Sequence, residues 1–251
     1  MSTATIFYRN VKWRFHNAFT IVITILQPLL WLVLYSTVAE GTMAGTGIEN
    51  YTAFIFPGLI VLVSFSASSS NGIMNYLMKA DGSFYRVLIA PVRRSSIVLG
   101  QLLEAVCCTF VEVGIMTVIS LLFFVNVLPN FPSLLLMVLL VALTAFFMAG
   151  ISYSVSLVLP NEVLYETVMN AIVLPIFFLS TALFPADGLQ GILKTIIYLN
   201  PFTHVINALR SVIFYGTIDF RTVAPVAVLF LLLGVGSFSW ALYCLKKETR
   251  L

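Results

Sequence analysis

Two carboxylates, Glu104 and Glu112, interrupt an apolar run from Ser95 to Phe124. A carboxylate in hydrocarbon costs a few kcal/mol unless it is paired or hydrated, so such residues are functional candidates by default. Eight residues apart on a helix, these two share a face about 12 Å apart, and Gln101 lies one turn before Glu104. Two kinds of chemistry fit. They form a cation or proton relay or the polar wall of a path, or Glu104 sits near the cytoplasmic end while Glu112 meets a polar partner on a neighbouring helix. Other constellations are weaker. Cys107, Cys108 and Cys244 fall in apolar segments without metal-ligand spacing and read as buried free thiols. Gly188, Gly191, Lys194 and Thr195 imitate a phosphate-binding loop in outline only: the glycines are three apart and the lysine does not follow one. The chain therefore cannot hydrolyse ATP by that route. His16 and His204 fall on opposite sides of the membrane in the topology derived below, so they cannot share a metal or a triad. No catalytic residue, metal site or bound cofactor is expected in this chain.

The elements that must position these residues are membrane spans. Of 251 residues, 60% are apolar and 9% charged, with a mean hydropathy of +1.04; soluble domains carry about 25% charged residues. The natural solvent is the bilayer, and the net charge of +3 points to no nucleic-acid partner. A spanning helix needs about 20 apolar residues, and six intervals qualify: 17–39, 51–77, 95–124, 134–159, 168–184 and 223–245. With the N-terminus inside, ten basic residues (Arg9, Lys12, Arg14, Lys79, Arg86, Arg93, Arg94, Lys246, Lys247, Arg250) are cytoplasmic and three (Lys194, Arg210, Arg221) are not. The positive-inside rule therefore places both termini in the cytoplasm of a cell (plasma) membrane protein. The first interval is about 23 residues, longer than the roughly 7–15 of a signal-peptide core, and reads as a retained helix.

The connections carry their own patterns. In residues 3–16, Phe7, Val11 and Phe15 recur at every fourth position while Arg9, Lys12 and Arg14 point elsewhere. That suits an interfacial helix with its basic face toward anionic headgroups; a disordered basic tail is the plainer reading. The run Ser64 to Gly72, "SFSASSSNG", suits either close helix packing or the lining of a hydrated cavity. Residues 185–221 split at Asn200-Pro201 into two short apolar helices that dip into the outer leaflet or pack on the bundle. The largest polar interruption is the loop 79–94, which contains "DGSFYRVLIAPVRR".

Two stretches resemble the ABC-2 type permeases of ATP-binding-cassette exporters. The loop after span two matches the family pattern through Asp81, Gly82, Ser83, Arg86, Leu88, Pro91 and Val92. Residues 174–210 match its fifth span and the Asn-Pro-Phe-Thr and Ala-Leu-Arg elements at Asn200–Thr203 and Ala208–Arg210. The six-span count, the cytoplasmic termini and the length agree, so the resemblance covers essentially the whole chain. One departure is the loop 160–167, "PNEVLYET", which is acidic where a partner contact would be expected. The resemblance implies an all-α permease half that pairs with a second permease copy (homodimer or heterodimer). It also implies a separate nucleotide-binding ATPase subunit, which would hold the ATP and Mg, and a coupling helix in the loop 79–94 seated in a cleft of that ATPase.

The residues of the loop fit that role independently. Phe84 with Leu88, and Val87 with Pro91, are apolar pairs at helical spacing that could plug a groove beside Asp81, Tyr85 and Arg86. Arg93 and Arg94 fit equally well as a positive-inside anchor. In the family, spans one, two and five form the path and dimer interface. This nominates Gln27, Trp31, Tyr35, Ser64, Ser68, Asn71, Asn170, Phe177 and Phe178, besides Glu104 and Glu112. The expected function is export of an amphiphilic or hydrophobic substrate (a drug, a lipid-like natural product or a lipid-linked glycan). The alternative is an ion- or proton-coupled secondary transporter working through Glu104 and Glu112.

Overall fold

A computed structural model describes residues 3–16, 22, 26, 29–34, 51–122, 130–185, 190–215 and 220–248. These residues form nine helices and no strand: α1 (Thr3–His16), α2 (Tyr51–Ala80), α3 (Ser83–Ile89), α4 (Arg94–Leu122), α5 (Phe131–Val158), α6 (Glu162–Phe178), α7 (Ile192–Leu199), α8 (Pro201–Arg210) and α9 (Phe220–Glu248), with a π-helical turn at Ser211–Tyr215 after α8 and a short helical piece at 29–34. Four of them, α2, α4, α5 and α9, are long and apolar enough to cross a membrane. In a bilayer every backbone polar group must be satisfied within its own segment, which helices of this length do.

Local chemistry sets the ends. Asn130 and Pro132 open α5, proline being tolerated in a first turn because its missing N–H would have no intrahelical partner. Asn161 caps α6 by accepting the Leu164 amide at 2.8 Å, and Asn200 caps α8 by accepting the Phe202 amide at 3.0 Å. Helix α6 covers 162–178 rather than the expected 168–184: the Asn161 cap starts it earlier, and the chain turns at 179–183. Most of the first expected span, 17–39, lies outside the described residues; Leu32 within it is buried in the core.

Helix α2 is the hub, packed by α4, α5, α6 and α8, and α9 runs along α5. The closeness of these crossings depends on small residues, as lipid-embedded helices generally require. A Cβ on Gly72 would fall 2.1 Å from the Tyr165 hydroxyl, one on Gly150 2.3 Å from Ser237 Oγ, and one on Gly58 2.7 Å from Ala182 Cβ. On α9 the buried stripe is Val223, Val226, Phe230, Gly234, Ser237 and Ala241, while Val228, Leu231, Leu232 and Val235 face outward. An apolar outer face on a helix with an apolar inner one is what lipid contact demands. Two apolar clusters fill the interior. The larger surrounds α2, α5 and α8, and the smaller joins α1, α3, the start of α4 and the end of α9.

The N-terminal segment is helical as expected, with a different face inward. Phe7 and Val11 are half-buried and Phe15 is exposed, whereas Ile6, Asn10 and Arg14 are buried against the bundle. Arg14 is thus not presented to headgroups. Of the two short helices after α6, α7 buries only Ile197, while α8 packs onto the bundle through Phe202, Val205, Ile206 and Leu209.

Candidate functional site

The loop between α2 and α4 is built by its own sequence. Gly82 turns the chain with φ 73°, a left-handed conformation that a side chain rarely adopts. Asp81 then accepts the Ser83 amide at 2.8 Å, satisfying a donor at the start of α3. Hydrogen bonds from the Ser83 side chain and backbone, followed by Arg86 and Arg9, hold the Asp81 carboxyl below its ordinary pKa. At the far end Arg94 donates to the Leu88 carbonyl at 2.9 Å, closing the last turn.

The sides of α3 differ. Phe84 is 2% exposed and lies in the smaller core cluster with Met74, Met78, Ile97 and Val98, under the Lys79 ammonium 5.3 Å from its ring. Val87 and Leu88 are half-buried against the same cluster. The outward side carries Tyr85, Arg86, Ile89 and Pro91. The pairing of Phe84 with Leu88 as a plug is therefore corrected. Phe84 anchors α3 to the bundle, because its ring completes an apolar cluster that would otherwise expose methionine and valine side chains. Ile89, 85% exposed, belongs to the outward side and was missed; its spacing from Tyr85 was the available signal.

Behind α3 a buried polar network joins α1, α2 and α4. Asn71 donates to a Glu104 carboxylate oxygen and to the Gln101 carbonyl at 3.0 Å, and Gln101 donates to Asn71 Oδ1 at 3.1 Å. Asn10 donates to Gln101 Oε1 at 2.7 Å. Arg14 forms an ion pair with Glu104, Nε to Oε1 2.5 Å, and donates to Ser70 Oγ at 3.2 Å. The Cys108 thiol donates to the same Glu104 oxygen at 3.2 Å. Glu104 therefore sits in a neutralised, fully bonded site, and the partner that sequence reasoning missed is Arg14. Glu112 is also buried on α4, two turns further along.

The serine-rich run of α2 is a packing surface. Ser152 donates to the Ser68 carbonyl at 2.5 Å and lies 2.6 Å from the Tyr165 hydroxyl, which donates to the Ser69 carbonyl at 2.9 Å. Ser64 bonds its own helix, donating to the Ile60 carbonyl at 3.0 Å. Among the nominated path residues, Phe177 is core, whereas Asn170 and Phe178 face outward on α6 beside Glu166 and Thr167. Trp31 packs half-buried against the core. Gln27 and Tyr35 lie outside the described residues.

The opposite end of α2 has its own knot. Arg210 lies 3.8 Å from the Phe54 ring centroid and donates to the carbonyls of Phe54 at 3.1 Å and Thr181 at 2.8 Å. Asn200 donates to the carbonyls of Ile176 at 2.7 Å and Leu179 at 2.8 Å, and Tyr51 donates to that of Leu183 at 2.7 Å. The motif residues Asn200 and Arg210 thus satisfy the carbonyls freed where α6 ends. His204, exposed, shares a 2.9 Å hydrogen bond with the Tyr198 carbonyl.

The sequence that builds this bundle is similar to known transport proteins. The family model described as "ABC-2 type transporter" matches residues 1–214. The transport permease ycf38 of Cyanophora paradoxa is 30% identical over 199 residues, covering 76% of this chain and 67% of that protein. Its counterpart in Porphyra purpurea is 30% identical over 205 residues, 80% and 69% of the two chains. Nodulation protein J of Rhizobium leguminosarum bv. trifolii is 27% identical over 190 residues, 74% and 71%. This chain belongs to the ABC-2 type transporter family and is a membrane transport permease, without an enzymatic activity of its own.

Proposed function

We propose that the chain is the permease subunit of an ATP-driven exporter, with α3 as the coupling helix that a separate nucleotide-binding subunit drives. One observation carries this reading. Helix α3 is held from behind by Phe84, Asp81 and Arg94, yet with the turn after it presents Tyr85, Arg86, Ile89 and Pro91, which none of the described residues covers. Apolar and aromatic side chains flanking an arginine are the composition of an interface centre. A mobile loop tip would instead be small and polar.

In this reading the protein has six spans, the first at 17–39 and the fifth built on α6, with α3 and both termini in the cytoplasm. ATP and Mg bind the partner subunit. Two permease copies pair, and the outward polar side of α6 (Glu166, Thr167, Asn170), which lipid would not cover cheaply, lines the path or the copy-to-copy contact with Phe178. The cargo is an amphiphilic or hydrophobic molecule such as a drug, a lipid-like natural product or a lipid-linked glycan, for which a path flanked by phenylalanines is suited. The secondary-transport alternative loses support, because Glu104 already forms an ion pair with Arg14 and two further hydrogen bonds to it, from Asn71 and Cys108, would have to be remade for it to relay a cation.

The test is co-purification with the ATPase partner followed by measurement of permease-dependent ATP hydrolysis. Ile89→Asp and Arg86→Glu should each remove most of the bound ATPase without changing the helix content of the permease. Phe84→Ala should do so by detaching α3 from its seat. Unaltered ATPase binding in both outward variants would refute the assignment of α3.

A further inference from the structure

Membrane attachment alone does not account for the way α1 sits. A helix lying in an interface buries its apolar stripe in lipid and leaves its cations to headgroups. Helix α1 turns inward a stripe that is largely polar: Ile6, Asn10 and Arg14, at every fourth position, are 3%, 0% and 2% exposed. Each has a particular counterpart on α4. Ile6 lies over Gly100, where an added Cβ would come 2.7 Å from its Cγ2; Asn10 donates to Gln101; and Arg14 pairs with Glu104. Three side-chain-specific contacts fix both the rotation of α1 and its position along α4. Arg14 and Arg9 extend the grip to α2, through Ser70 at 3.2 Å and the Met78 sulfur at 3.8 Å. Helices α2 and α4 are the two that flank α3.

We propose that Arg14 and Glu104 are positioning residues for coupling. Their ion pair clamps α1 across α2 and α4, so that these three helices and α3 between them move as one body when α3 is pushed. The inference rests on the reading of α3 as the coupling helix. Without the clamp, α2 and α4 are held together beside α3 by their own packing and the Asn71 bonds to Gln101 and Glu104, and α1 no longer moves with them. With it, α1 is displaced together with both roots of the loop. A buried ion pair whose carboxylate also accepts from Asn71 and Cys108 is suited to this role because it tolerates few geometries, and holding a register is the best-attested use of such pairs.

The experiment uses the permease with its co-purified ATPase in lipid nanodiscs, as wild type, Glu104→Gln and Arg14→Lys. Three quantities are read: ATPase retained per permease, hydrogen exchange of the amides in residues 3–16, and permease-dependent ATP hydrolysis. Glu104→Gln should retain its ATPase while α1 exchanges about tenfold faster or more and the hydrolysis rate falls at least about fivefold. Arg14→Lys keeps the charge but cannot reach both Glu104 and Ser70, and should fall between. A merely structural role would lower the yield of folded protein without separating bound ATPase from its rate. The proposal is overturned if α1 protection stays at the wild-type level in both variants, or if α1 loosens with the rate intact. Should Glu104→Gln not accumulate, Arg14→Lys decides by the same two outcomes. If wild-type permease retains no ATPase, the reading of α3 fails. The exchange measurement then decides the clamp alone, faster exchange upholding it and unchanged exchange overturning it.

Discussion

Two arginines sit at opposite ends of α2, and they are held by opposite chemistry. Arg14 has its side chain 3% exposed, pairs with a carboxylate that is itself buried, and bonds otherwise to side chains. Arg210 is half-buried, lies over the Phe54 ring and donates to backbone carbonyls of Phe54 and Thr181, with Asn207 Oδ1 at 2.9 Å. The first arrangement joins one identifiable partner to another and can be broken or exchanged by changing either. The second is a cap on backbone that no mutation of a partner can remove. An arginine beside a carboxylate specifies which helix meets which. An arginine on carbonyls and a ring holds wherever the chain turns.

The sharpest way to break the comparison is to remove one charge from the buried pair. Arg14→Ala leaves Glu104 as an uncompensated charge, which typically costs about 3–5 kcal/mol, and the detergent-solubilised protein should show the largest loss of thermal stability of any variant named here. The double replacement Arg14→Met with Glu104→Met should recover most of that loss, because well-packed apolar groups often match or exceed a buried ion pair. If the double variant is no more stable than Arg14→Ala, the pair is not the principal contact of α1.

Arg210→Met gives the contrasting result. It leaves two carbonyls less satisfied and removes a ring contact, at a cost of about 1–3 kcal/mol. No second substitution should repair it, since the acceptors are backbone. Arg210→Lys should recover part, as an ammonium keeps the charge above Phe54 but lacks the planar fork that spans both carbonyls. Thermal denaturation of the three proteins measures this directly. Recovery of full stability by a substitution at Asn207 would erase the distinction between the two ends.

The same contrast explains what could be read from the residues in order. The apolar intervals announced α2, α4, α5 and α9, because hydropathy over about 20 residues is a property of composition. Glu104 stood out for the same reason: a charge within hydrocarbon is visible without a fold. Its partner was not, because Arg14 looks like any membrane-surface cation. Only the inward rotation of α1 distinguishes it, and Phe7, Val11 and Phe15 suggested the other face. Ile6 and Asn10 held the signal, a polar residue one turn before Arg14 and an apolar one two turns before, but it is intelligible only beside Gln101 and Gly100 on α4. Phe84 was legible as important and its direction was not, since helical spacing fixes which residues share a side and not which side faces the bundle. The serine run left packing and cavity equally open until Ser152 and Tyr165, some 80 to 100 residues on, were placed against it.

The smallest expected effects lie in the partly or fully exposed contacts around α3, where both ends of the comparison should cease to matter. Lys79 pairs with Glu248 at 2.9 Å, with side chains 20% and 29% exposed. Exposed pairs contribute about 0–1 kcal/mol and are screened by salt. Glu248→Gln should therefore shift the melting temperature by no more than a degree or two at low salt and by nothing measurable at high salt. Asp81 gives a sign rather than a size. Its folded pKa lies below the ordinary 3.8 because Ser83 bonds the charged form. The stabilisation is fully present above that value and is lost only as the pH falls through the folded one. Exchange of the Ser83 amide should accordingly show no departure from ordinary pH behaviour between about pH 5 and 8 and lose protection only below about pH 4. Loss of protection near neutrality would mean that Asp81 does not hold the start of α3, and that Gly82 with Phe84 positions the helix instead.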